Sequence, residues 1–147
     1  MKPSTIWRFS SDYLVFSMAM HFIWEVVQLP LYTLWRNPDN GAIAYAIVHC
    51  TLGDLLIATC ALLLGLLIVH LLRPQRNRFL LLSFVTILLG VCYTIFSEWR
   101  NTVLLRSWEY SDLMPQVFGI GISPMAQWIV VPTVALFALK RSAWAIS

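Results

Sequence analysis

Residues 42 to 72 read AIAYAIVHCTLGDLLIATCALLLGLLIVHLL, an apolar run whose only charged or imidazole side chains are His49, Asp54 and His70. About twenty apolar residues carry a helix across the hydrocarbon of a bilayer. This run can therefore span a membrane and still tilt or project from it. Shorter apolar runs flank it at about 13–35, 79–97 and 124–139. Little chain is left over, so residues 1–147 are expected to form a single membrane domain: an all-α, integral membrane four-transmembrane-helix bundle.

Composition agrees. Of 147 residues, 59% are hydrophobic and 12% charged, against about 25% charged in soluble domains. The net charge of +3 does not signal nucleic acid, because the basic residues sit at loops and ends and no basic stripe with interleaved aromatics occurs. Lys2 and Arg8 precede the first apolar stretch as in a signal peptide. That stretch is too long for one and ends in no small-residue cleavage site, so it is expected to stay as the first span. Cys50, Cys60 and Cys92 form no CxxC pair; they are expected to be small buried packing residues, with Cys50 distinguished by its neighbour His49.

The run from Arg36 to Gly41 is rich in turn residues, as is the run from Arg73 to Arg78. With four spans, Lys2, Arg8, Arg73, Arg76, Arg78, Lys140 and Arg141 share one side, and Arg36, Arg100 and Arg106 the other. Lys and Arg concentrate on cytoplasmic loops, so both termini are expected in the cytoplasm of a bacterial inner membrane. Trp7 and Trp144 fall at that interface, and Trp35, Trp99 and Trp108 at or beyond the outer one. The segment from Glu98 to Ile122 is long, aromatic and partly amphipathic. Ser123-Pro124 then has the pattern of a helix start, with Ser as N-cap and Pro at the first helical position, and Pro132 is expected to kink the span that follows.

The chemistry is expected in the spans. His21, Glu25, Gln28 and Tyr32 recur at helical spacing and fall on one stripe of span one. Ionisable groups deep in a span are costly and point to function; the ordinary alternative is a hydrogen-bonded pair that locks helix packing. His21 and Glu25, one turn apart, suit a proton-transfer pair or a shared divalent metal ion. In span two, His49 and Asp54 are five residues apart, hence about 140° apart on a regular helix, and they cannot both face one small site unless Gly53 loosens the helix. Glu98 ends span three with Arg100 as a ready partner, and Gln127 lies one turn into span four. Catalytic candidates are therefore His21, Glu25, Asp54 and Glu98. Gln28, Tyr32, Trp108, Tyr110 and Gln127 are candidates for binding substrate. A metal, if used, would take His21, Glu25 and His49, with Asp54 or Glu98 as a further ligand. These groups fall in the outer half of the bundle, and the inner half reads as almost purely Leu, Ile, Val and Ala. That pattern predicts a pocket open to the outer face, capped by the segment 100–122, with Trp108 and Met114 in contact with it and Gly119 and Gly121 as hinge. An interfacial anchor helix is the alternative for that segment.

Three stretches, Ser97-Glu98-Trp99-Arg100-Asn101, then Trp108 to Pro115, then Ser123-Pro124-Met125-Ala126-Gln127-Trp128, resemble a pattern in small four-span inner-membrane proteins of proteobacteria. That resemblance implies an architecture and no activity. The arrangement is also loosely similar to the sterol-isomerase superfamily, whose four or five spans hold a His and carboxylates, as architecture alone. The expected function is an intramembrane enzyme doing acid–base chemistry, with or without a metal, on a hydrophobic small molecule. Metal-ion or small-solute binding or transport is one alternative. An accessory subunit of a larger membrane complex, using the polar stripe for helix pairing, is the other; a homo-oligomer would supply the polar path that transport lacks.

Overall fold

The computed structural model describes residues 3–74 and 76–140. Lys2, Arg141 and Trp144, which entered the orientation count, lie outside them. Four helices carry the fold: α1 (Pro3–Gln28), α2 (Asn40–Leu72), α3 (Arg78–Trp99) and α4 (Ile122–Ala138). The first three are long and apolar enough to cross a membrane, and α4 is a shorter apolar helix. Large apolar side chains such as Val15, Leu56, Leu63, Leu71, Phe84 and Phe96 stand exposed along these helices. Such a surface far exceeds what a soluble monomer displays, and it suits a protein whose solvent is lipid.

Each helix ends for a local reason. α1 stops at Gln28 because Pro30 cannot continue it, and two 3₁₀ turns, Leu29–Leu31 and Thr33–Arg36, follow. Span one therefore departs from the expected 13–35: its helix begins ten residues earlier and ends seven earlier. Tyr32 lies beyond the helix in extended backbone, and only His21, Glu25 and Gln28 share the α1 stripe. Asp39 caps α2, its carboxylate accepting from the Gly41 amide at 2.8 Å. At the other end Arg73 adopts a left-handed conformation and returns its N–H to Val69. Helix α3 runs on into a π-helical turn, Arg100–Leu104. Gly121, not Ser123, occupies the N-cap of α4, because the Ser123 hydroxyl is engaged with α1 instead.

Lipid gives apolar helices little reason to associate, so close approach of small residues and polar contacts hold such bundles together. Gly65 of α2 packs on Leu82 and Thr86 of α3, and Gly90 of α3 lies flat against the Trp128 ring of α4. The half of the bundle at the N-terminal end of α1, expected to be the inner one, closes around Phe9, Tyr13, Ala58, Leu62, Leu82 and Leu136. It is less purely aliphatic than expected, since the hydroxyls of Tyr13, Ser17 and Thr86 are fully buried there. Cys60 and Cys92 are exposed rather than buried in the packing; a small neutral thiol loses little by facing lipid.

The segment between α3 and α4 is neither a loose lid nor an anchor helix. Gln116–Val117 (β1) and Ile120–Gly121 (β2) form a minimal antiparallel hairpin. Its turn residues Phe118 and Gly119 both have positive φ, at 52° and 79°, as a tight two-residue hairpin turn requires. Upstream, Tyr110 bridges antiparallel to Tyr32. The Thr33 amide donates to the Glu109 carbonyl at 3.0 Å, and the Ser111 amide to that of Leu31 at 2.9 Å. Breaking α1 at Pro30 is what exposes these backbone groups for pairing. Gly119 thus serves a turn, not a hinge.

Candidate functional site

The half of the bundle at the C-terminal end of α1 and the N-terminal end of α2 holds one large cavity of about 1060 Å³. Its wall includes Glu25, Gln28, Tyr32, Asp54, Glu98 and Gln127, with His49, Cys50 and Trp108 around them. Three helices and the cap segment thus bring the acidic candidates to one space.

At its inner end a single atom organises the site. Gln127 Nε2 lies 2.8 Å from His21 Nδ1, 2.8 Å from Asp54 Oδ2 and 3.2 Å from Glu25 Oε1. Gln28 joins them, donating from Nε2 to Glu25 Oε1 at 2.7 Å and to Gln127 Oε1 at 3.4 Å. His21 Nδ1 is also 3.4 Å from Asp54 Oδ2. The imidazole is 1% exposed and Gln127 2%, and the His21 ring packs on Trp128 with centroids 4.9 Å apart. An amide nitrogen carries two hydrogens, yet three acceptors crowd this one. Turning the amide over would bring its oxygen against the same three acceptors, which is worse. Gln127 can therefore donate to two of the three at one time, and the part His21 Nδ1 plays is set by its tautomer.

A second cluster lies where the segment between α3 and α4 meets Glu98. Tyr110 donates its hydroxyl to Glu98 Oε2, and Tyr32 does so at 3.4 Å. The Gly121 amide donates to the Tyr110 oxygen at 3.0 Å, tying the hairpin to the same carboxylate. Burial first, and the Glu98 carboxylate after it, push the hydroxyl pKa of both tyrosines upward. Both stay protonated donors through the neutral range. Arg100, the expected partner of Glu98, does not pair with it, because residues two apart on a helix do not face each other.

The expected metal set is not assembled. Among the described residues no three His, Cys, Asp or Glu side chains are grouped as ligands of one ion. His49 stands at the exposed rim, stacked on Tyr45 at 5.5 Å, and forms no hydrogen bond to His21 or Glu25. Its offset from the inward-facing Asp54 puts it there. Trp108 lines the cavity, but Met114 does not; it is buried beneath the hairpin against Gly121 and Tyr110.

Two contributors escaped the sequence reading. Ser123 accepts from Trp24 Nε1 at 3.2 Å and donates to Gln28 Oε1 at 2.9 Å. The four-residue spacing of Ser123 and Gln127 on α4 was the available signal, since it sets both on one face. Comparison with protein-family models, curated proteins and solved structures gives no match, so the reading of the site rests on its own geometry.

Proposed function

We propose that the chain is an intramembrane enzyme that moves protons on a hydrophobic small molecule held in this cavity. The observation that carries the reading is the meeting of His21, Glu25 and Asp54 on one amide nitrogen that cannot satisfy all three. Acid–base groups packed within hydrogen-bond reach of one another, with Glu25 and Asp54 in the cavity wall, are placed to pass a proton to and from a bound molecule. Glu98 lines the same space with its own donors Tyr32 and Tyr110. One carboxyl group can take a proton from a substrate carbon or oxygen while another returns one elsewhere on the molecule. The net change is a proton shift that consumes no oxidant or reductant. Gln28 and Gln127 hold the inner groups in place, and Trp108 contributes to the wall.

In this reading the chain crosses the membrane four times, α4 being the short fourth span, with both termini in the cytoplasm. The cavity then faces the outer leaflet. Reporter fusions at Ser147 and Asn40 test the topology: an exported Ser147 inverts the cavity and overturns it.

Glu25→Gln tests the chemistry. It preserves size and most hydrogen bonding and removes the titrating group. Removing a general acid or base lowers turnover by about 10²–10⁴-fold, and the variant is expected to lose activity on that scale while purifying as folded protein. His21→Ala is expected to lose activity similarly. Full activity in both, with only a lowered unfolding temperature, would make the cluster a packing device.

A further inference from the structure

The charged groups around the cavity are not equally satisfied. Three of the carboxylates in the wall have donors: Gln28 and Gln127 for Glu25, Gln127 for Asp54, Tyr32 and Tyr110 for Glu98. Arg36 and Arg100 line the same cavity at its outer mouth, and neither guanidinium has an ion-pair or hydrogen-bond partner among the described residues. Glu109 shares that mouth, but its carboxylate offers no donor. The third arginine of this end, Arg106, is not part of the wall. Arg100 also opens the π-helical turn, a local widening that often accompanies a functional site.

The rest of the wall explains how such a ligand would lie. Tyr45 and Leu56 of α2, and Tyr93 and Phe96 of α3, line the cavity and are also exposed. A side chain added at Gly53 would meet nothing within 4 Å. The cavity is therefore open sideways between the N-terminal half of α2 and the C-terminal half of α3. Further in, the same two helices close at Gly65 against Leu82 and Thr86. An apolar side opening beneath two unpaired guanidiniums matches an acyl or prenyl chain below an anionic head group.

We propose that the cavity takes a membrane amphiphile with a phosphate head group, held at the mouth by Arg36 and Arg100, its chain entering between α2 and α3. Guanidinium groups suit this role because their fork of donors matches phosphate oxygens. The proposal rests on the acid–base reading for what happens to the ligand, but not for its binding.

The test uses full-length protein in a neutral maltoside detergent, titrated with hexadecyl phosphate, with hexadecylphosphocholine and with inorganic phosphate, and read by native mass spectrometry. Hexadecyl phosphate should be retained, and the phosphocholine of equal chain length should bind more weakly. Inorganic phosphate at equal concentration should not displace the bound amphiphile. Arg36→Gln and Arg100→Gln should each weaken hexadecyl phosphate binding about tenfold, the scale of one charge-assisted contact. Arg36→Lys and Arg100→Lys should retain part of it, and Arg106→Gln, the matched charge control, should change nothing. Gly53→Leu, which fills the open side, should weaken both amphiphiles. Equal loss in Arg106→Gln, equal binding of the phosphocholine, or full displacement by inorganic phosphate would each overturn the proposal. Glu25→Gln separates the two ideas: it should bind the alkyl phosphate normally while failing in turnover. Glu25-dependent turnover of an uncharged molecule without alkyl phosphate binding would remove this proposal and leave the enzyme reading intact.

Discussion

Replacing Gln127 by Met keeps the length and volume of the side chain and removes its hydrogen-bonding atoms. The Nε2 atom holds three acceptors at 2.8, 2.8 and 3.2 Å, but only two hydrogens can be donated at once. A hydrogen bond to a charged group contributes about 1.5–3 kcal/mol, so two of them set an upper bound of about 3–6 kcal/mol. The cavity lies alongside, and water can reach Asp54, whose side chain is 13% exposed. Solvation there recovers part of the loss, leaving about 2–4 kcal/mol. For a chain of this size each kcal/mol moves the unfolding midpoint by about 2–4 °C, so Gln127→Met should lower it by roughly 5–15 °C. Thermal unfolding of detergent-purified protein, followed by tryptophan fluorescence, measures this directly, since Trp128 packs on the His21 ring. Asp54→Asn in the same background introduces an amide that can donate to His21 and Glu25. The double variant should recover about 1–2 kcal/mol relative to additivity. A midpoint within 2 °C of the parent, or strict additivity in the double variant, would show that the Gln127 contacts carry no energy and that the polar cluster is not an organised unit.

Gly90→Ala puts a methyl group into the six-membered ring of Trp128, and overpacking of this kind costs about 1–3 kcal/mol. Gly53→Ala, inside α2 with open space around it, should on the same thermal assay leave the midpoint unchanged or raise it by up to about 1 kcal/mol of stability, alanine being the better helix former, and an equal loss in both variants would contradict the helix packing described. Tyr110→Phe removes the donor to Glu98 and the acceptor for the Gly121 amide. Amide hydrogen exchange at 31–33 and 109–111 should quicken by about tenfold or more, as a loss of 1–3 kcal/mol implies; unchanged protection would mean that the cap is held by its backbone pairing alone. The same clamp should respond to alkali. The Tyr110 pKa is raised in the folded protein, so its contribution is fully present below the ordinary tyrosine value of about 10 and is lost as the pH climbs through the raised one. Exchange at 109–111 should therefore stay constant, after correction for its intrinsic rate, through the neutral range and rise only in strong alkali. A rise near neutrality would mean that another group holds the cap.

What could be read from the sequence was what helical phase controls. His21, Glu25 and Gln28 recur at three- and four-residue spacing on α1, and they meet in one site because a helix keeps such residues on one face. The 140° between His49 and Asp54 likewise separates a rim residue from an inward one, and the metal set that needed His49 beside His21 and Glu25 is not grouped among the described residues. The contacts that phase does not control were out of reach. Tyr32 was expected on the α1 stripe, yet Pro30 ends the helix before it. Tyr32 enters the site from extended backbone instead, and that same backbone pairs with Tyr110. Nothing local to either tyrosine predicts a partner some eighty positions away in the chain. The pairing exists because a helix broken early leaves bare amides and carbonyls at the membrane boundary, where an unpaired backbone group is costly. The segment after α3 supplies partners for the exposed groups at residues 31 and 33 and thereby delivers the Tyr110 hydroxyl to Glu98. The break at Pro30 is thus what makes Glu98 a buried, tyrosine-bound carboxylate, while helical phase turns Arg100 away from it and into the cavity wall.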